Sequence, residues 1–173
     1  MLQRLRTMFA SPVDPTADWP QCQPVPLTLT LPEAAVNGIA IGDNYAGLRA
    51  FGRPNNPEPY QSNRFDYYPL GLIVEGQHET IEYFEFKIQE DDGDSEIWTC
   101  KVTLIDRGHD PITLSGDTNI SVIEGMWGAP DKRHDFDDEI VDWYERGPWV
   151  MEFVWSKRGW LQHASIERWN KGE

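Results

Sequence analysis

Apolar and polar positions alternate with period two over several stretches of this chain, as they do in strands with one buried face. Leu27-Thr-Leu-Thr-Leu31 is the first such run. Ile81 to Ile88 places Phe84, Phe86 and Ile88 on one face and Tyr83, Glu85 and Lys87 on the other. Ile97 to Ile105 gathers Trp98, Cys100, Val102 and Leu104, and Trp149 to Trp155 gathers Trp149, Met151, Phe153 and Trp155 with Val150 and Val154 opposite. Phe65 to Tyr68, Leu70 to Glu75, Ile140 to Tyr144 and Trp160 to Trp169 complete the predicted strands. Helical spacing is rarer: Tyr45, Leu48 and Phe51 fall at i, i+3, i+6, and Ile120, Ile123 and Trp127 at i, i+3, i+7. Asp43 and Asp117 are the expected N-caps, and Gly52 and Gly128 the glycines that end these helices. Gly76 is expected to open one turn and Ser156 to Gly159 another. The polar Glu90 to Glu96 is expected to join two strands as a hairpin. Residues 1–10 can form a short helix bearing Leu2, Leu5 and Met8. The five prolines between Ser11 and Pro26 then favour a linker or wrapping arm.

The elements recur. Gly52, Pro54, Tyr67, Tyr68 and Gly71 are each followed 76 residues later by Gly128, Pro130, Trp143, Tyr144 and Gly147, and a Gly-Asp pair (Gly42-Asp43, Gly116-Asp117) opens each copy. Self-similarity at a fixed offset is the mark of a repeated supersecondary unit. The expected fold is therefore α+β: two tandem helix-loop-antiparallel-sheet repeats forming one two-layer domain with a continuous antiparallel sheet. Residues 1–26 would be an N-terminal segment and arm, 27–105 the first repeat and 106–173 the second.

This punctuation, Gly-Asp, short helix, Gly-x-Pro, loop, aromatic pair, glycine and paired strands, resembles the repeat of beta-lactamase-inhibitor-protein-like proteins. The single unit is similar to that of the SmpA/OmlA outer-membrane assembly lipoproteins. The matching positions are Gly42, Gly52, Pro54, Tyr67, Tyr68 and Gly71, then Gly116, Gly128, Pro130, Trp143, Tyr144 and Gly147, within residues 38–169. The resemblance implies a tandem repeat with a concave sheet face that grips another protein, and no catalysis; it carries over no target.

Charge narrows the partner. The formal net charge is −14, and the windows Glu75–Glu96 and Asp131–Glu145 account for nearly all of it. Such windows serve as solvated loops and strand faces, or as a surface complementary to a basic partner. Nucleic acid is disfavoured for want of Lys and Arg clusters. The chain is long enough to bury a core without staples. With two cysteines and no apolar run of signal or membrane length, it is expected to be soluble, cytoplasmic and without membrane contact.

The chemistry of catalysis is missing from the pattern. His78, His109, His134 and His163 have no partner at metal-ligand spacing. Glu90-Asp-Asp-Gly-Asp94 lacks the alternate ligands and distant Glu of a calcium loop. There is no nucleophile elbow and no phosphate loop. Carboxylate pairs such as Asp137-Asp138 arise by chance in so acidic a chain. No cofactor or metal is expected, and the protein is not expected to be an enzyme. Eight tryptophans remain. Most should fill the core, yet an alternating sheet must leave some apolar surface outside, where aromatic anchors within an acidic rim resemble a protein-binding hot spot. The expected binding residues are Tyr67, Tyr83, Trp143 and Trp149 with the acids Glu85, Asp138 and Glu152. A protein partner, a basic one, follows, with an inhibitor or immunity protein as the leading type. The alternatives are a homodimer that covers this face, and a small-molecule binder or enzyme with a pocket between loops and sheet.

Overall fold

The computed structural model of the chain describes residues 14–89 and 97–168. The expected N-terminal helix and the Glu90–Glu96 turn lie outside them. The fold is α+β and mostly sheet. Its strands are β1 (Leu27–Thr30), β2 (Ala35–Val36), β3 (Ile39–Ala40), β4 (Arg64–Tyr67), β5 (Leu72–Gln77), β6 (Thr80–Lys87), β7 (Val102–Ile105), β8 (Ile112–Leu114), β9 (Lys132–Asp135), β10 (Glu139–Arg146), β11 (Trp149–Ser156) and β12 (Leu161–Arg168). Seven of them form an antiparallel sheet in the order β4-β5-β6-β12-β11-β10-β9. The other five form a second sheet, β3-β2-β1-β7-β8, in which β1 and β7 run parallel.

This second sheet corrects the expectation of one sheet joined through a hairpin at Glu90–Glu96. Only Val102–Ile105 of the Ile97–Ile105 run is strand, and it pairs with β1, Leu27 opposite Val102 and Leu29 opposite Leu104. The first half of that run hooks over the end of the larger sheet instead: the Trp98 N–H donates to the Tyr68 carbonyl (3.0 Å) and the Cys100 N–H to the Lys87 carbonyl (2.7 Å). Trp98 is 60% exposed there, so its alternation was not a burial signal. The free edge of β6 is taken by β12, which sets Phe84 against Ile166 and Phe86 against Ala164. The larger sheet thus runs on from the first half of the chain to the second through its last strand.

Each half places a short helix against a hairpin. Tyr45–Phe51 is a 3-10 helix capped by the Asn44 side chain, and Ile120–Trp127 is an α-helix capped by that of Asn119. Asn44 and Asn119 therefore replace the expected caps Asp43 and Asp117. The Asp43 carboxylate instead accepts from the Ala40 N–H at 2.8 Å. The Tyr45 N–H reaches the Glu79 carbonyl (2.9 Å) in one half and the Ile120 N–H the Gly159 carbonyl (3.1 Å) in the other. Tyr67 donates to the Leu48 carbonyl and Tyr144 to that of Gly128, each at 3.4 Å. The two acceptors differ in place, since Leu48 lies within its helix and Gly128 follows its helix. The first hairpin turns at His78 and Glu79, both at positive φ, rather than at Gly76. Gly76 lies within β5, where an added Cβ would meet the Thr80 carbonyl oxygen.

One hydrophobic cluster draws on both sheets, with Leu27, Leu29 and Leu104 in company with Phe84, Phe86, Phe153 and Trp155. The Trp149 indole N–H ties the sheets at their margin by donating to the Pro32 carbonyl (2.5 Å). From Asp14 onward the proline-rich segment wraps as an arm: Trp19 and Cys22 are buried and the Arg53 N–H donates to the Pro20 carbonyl.

Candidate binding face

Alternation gives the seven-stranded sheet two faces, and only one lies on the hydrophobic cluster. The opposite face is read from the register as three rows of side chains. The first is Glu145, Val150, Glu167, Tyr83, Glu75 and Arg64. The second is Lys132, Trp143, Glu152, Ser165, Glu85, Ile73 and Asp66. The third is His134, Val141, Val154, His163 and Lys87. Val141, Val150 and Ile73 are shielded by their larger neighbours yet stand outside the core cluster. They form the apolar floor of a face otherwise rich in carboxylates.

Of the seven residues expected to bind, Tyr83, Glu85, Trp143 and Glu152 share this face. Tyr67 and Trp149 do not. Tyr67 is fully buried and Trp149 is 7% exposed; both project into the core from the opposite face. The reason is parity, since one residue along a strand exchanges the faces. Asp138 is exposed in the β9–β10 turn, apart from the rows. The sequence reading missed His163, Ser165 and Glu167, although they alternate with the buried Ala164 and Ile166 and were legible by the rule that found Tyr83 and Glu85. Lys132 carried no such signal, because every residue of β9 is exposed.

The face is wired by side-chain contacts. The Tyr83 hydroxyl donates to Glu85 Oε2 at 3.1 Å, and His163 Nδ1 lies 3.4 Å from Glu85 Oε1. The hydrogen bond from His163 holds the Glu85 carboxyl below its ordinary pKa against the opposing effect of burial. Burial, with Glu85 beside it, pushes the Tyr83 phenol up. At the far end the Lys132 ammonium stands 5.1 Å over the Trp143 ring, and His134 meets that ring edge-on. Glu152 lies between these groups. It accepts from Trp143, but burial and the charges of Glu167, Glu85 and Glu139 raise its carboxyl above the usual value. A cavity of ≈ 130 Å³ opens among Tyr83, Glu85, Glu152, Val154, His163 and Ser165. A larger cleft of ≈ 610 Å³ adjoins it at Tyr83 and Glu85 and runs to Glu75, Glu82, Glu167 and Arg168.

No family model matches the sequence, and no curated protein matches it. Among solved structures the fold is similar to that of a DUF4309 family protein, YjgB, from Bacillus subtilis subsp. subtilis strain 168, with a TM-score of 0.51 and 16% identity over 78% of this chain and 84% of that one. The likeness is one of fold. It assigns no role to the open face.

Two further observations bear on the chemistry. Among the described residues, no three His, Cys, Asp or Glu side chains gather as a metal site. Neither thiol is activated, since burial pushes Cys22 up to about 11 and Cys100 up to about 12. No helix of the described residues is long and apolar enough to cross a membrane.

Proposed function

We propose that the protein is a non-catalytic binding module of the inhibitor or immunity type, which grips a basic protein partner through the open face of the seven-stranded sheet. The observation that supports this best is the composition of the rows: the carboxylates of Glu145, Glu167, Glu75, Glu152, Glu85 and Asp66 outnumber the cations Arg64, Lys132 and Lys87, and among them stand Trp143, Tyr83 and a floor of valines and isoleucine. Aromatic and aliphatic side chains set among charged ones suit a protein interface, and the excess of carboxylates selects a basic partner. We also read the two helix-against-hairpin units as copies of one ancestral unit packed as two layers, in keeping with the beta-lactamase-inhibitor-protein-like pattern. The Asn44 and Asn119 caps and the closing glycines Gly52 and Gly128, of like φ and ψ, support that reading. Two free thiols suit a reducing compartment such as the cytoplasm.

The test is capture from lysate of the source organism with three baits: the wild type, Trp143→Ala/Glu167→Lys on the face, and Asp110→Asn in an exposed loop. A stoichiometric basic protein should be held by the wild type and by Asp110→Asn, released by salt, and lost from the face variant. Equal retention by all three baits would refute the assignment to this face.

A further inference from the structure

The two cavities share Tyr83 and Glu85; the smaller lies on the open face, and the larger extends past the sheet margin to Ile41, Gly42 and Arg168. Together they make a groove that starts at the β5–β6 hairpin, follows β6 and crosses β12 to reach Glu152 and Val154 on β11. At its inner end, Glu152, Ser165 and Glu85 stand side by side in register on β11, β12 and β6. Adjacent strands are about 4.8 Å apart, so the two carboxylate-bearing positions are about 10 Å apart across the serine. That separation leaves room for one flat or elongated cationic head with a carboxylate on each side. Glu85 has partners within the chain, the Tyr83 hydroxyl and His163. Glu152 has the Trp143 indole, but its charged neighbours Glu167, Glu85 and Glu139 are all acidic.

We infer that the groove receives an extended segment of the partner bearing a lysine or arginine, whose cationic head seats over Ser165 between Glu85 and Glu152. This rests on the protein-binding reading above and narrows it to one side chain of the partner. Charge complementarity selects the cation. The ≈ 130 Å³ cavity admits a single side chain, and Trp143 stands opposite Glu152 on β10, one strand beyond the seat. An arginine would meet Glu152 as a charge-assisted, in-plane pair, which a neutral side chain of equal shape cannot do.

The test uses a blocked Gly-Arg-Gly peptide and its citrulline counterpart, which keeps the shape and lacks the charge. The Trp143 indole N–H signal is followed by NMR in the wild type, in Glu152→Gln and in the remote control Asp110→Asn. The expected result is a saturable shift with the arginine peptide alone, about tenfold weaker binding in Glu152→Gln, and no change in Asp110→Asn. Equal shifts with the citrulline peptide, or unchanged affinity in Glu152→Gln, would overturn the seat. If the seat fails in this way while the basic protein is still lost from Trp143→Ala/Glu167→Lys, the broader reading of the face stands without it.

Discussion

Glu152 and Trp149 show what single residues contribute. A carboxyl whose pKa is raised on folding destabilises the fold wherever it is ionised. That penalty is full above the raised folded value and disappears as pH falls through it toward the unfolded value near 4.5. Glu152→Gln should therefore raise the melting temperature at pH 7, by about 1–2 °C, and flatten its dependence on pH just above 4.5. The same change should weaken binding, so stability and affinity move in opposite directions; a fall in melting temperature on thermal scans would contradict the origin given for the shift. Glu85 has the other sign. Its lowered carboxyl adds stability that is present above the unfolded value and lost as pH falls through the folded one. Trp149 belongs to the core, so Trp149→Ala should cost about 3–5 kcal/mol in denaturant unfolding. Trp143→Ala should leave unfolding nearly unchanged and reduce affinity, because its ring stands on the open face.

At the scale of elements, the glycines that follow the two helices share a backbone conformation but not an environment. Gly52 has φ 90° and ψ −168°, and Gly128 φ 80° and ψ −163°, a region that is almost closed to other residues. A Cβ at Gly128 meets nothing within 4 Å, whereas one at Gly52 would lie 2.7 Å from the Pro20 carbonyl oxygen and 2.8 Å from Cys22 backbone atoms. Gly128→Ala should cost on the order of 1–3 kcal/mol from backbone strain alone. Gly52→Ala should cost more and loosen the arm, which faster proteolysis after Trp19 would report. The helices, their closing glycines and the faces of β6 and β11 were legible in the sequence, because period and punctuation are local. The parallel β1–β7 pair was not, since pairing between strands so distant in the chain is decided by which edge is free. The inward turn of Tyr67 and Trp149 was missed for a related reason. A repeat offset aligns residues along the chain but does not fix strand parity: Tyr67 and Trp143 stand 76 residues apart yet project from opposite faces of the larger sheet. β9 escaped because its four exposed residues, Lys132 to Asp135, have no apolar face at all.

For the whole molecule the deciding quantity is charge. With a net charge of −14, and six acids against Arg64, Lys132 and Lys87 in the rows of the open face, two copies meeting face to face would bring an excess of like charge together over an interface that needs about 1,000 Å² to be stable. The protein should therefore run as a monomer of 19.9 kDa in light scattering at pH 7.5 and low salt, and a dimer that protects Trp143 from quenching would remove the surface assigned to the partner. The same field acts on a basic partner with the opposite sign, drawing it in before contact is made. Its association rate should fall on the order of tenfold between low salt and 0.5 M, while its dissociation rate changes little, because long-range attraction is screened and close contacts are not. Trp143→Ala should do the reverse, leaving the association rate and its salt dependence intact and accelerating dissociation. Stopped-flow or surface-binding kinetics of the two effects together would separate the acids, which bring the partner, from the aromatic ring, which keeps it. If salt and Trp143→Ala altered the same rate constant, the acids and the Trp143 ring would not have separate roles.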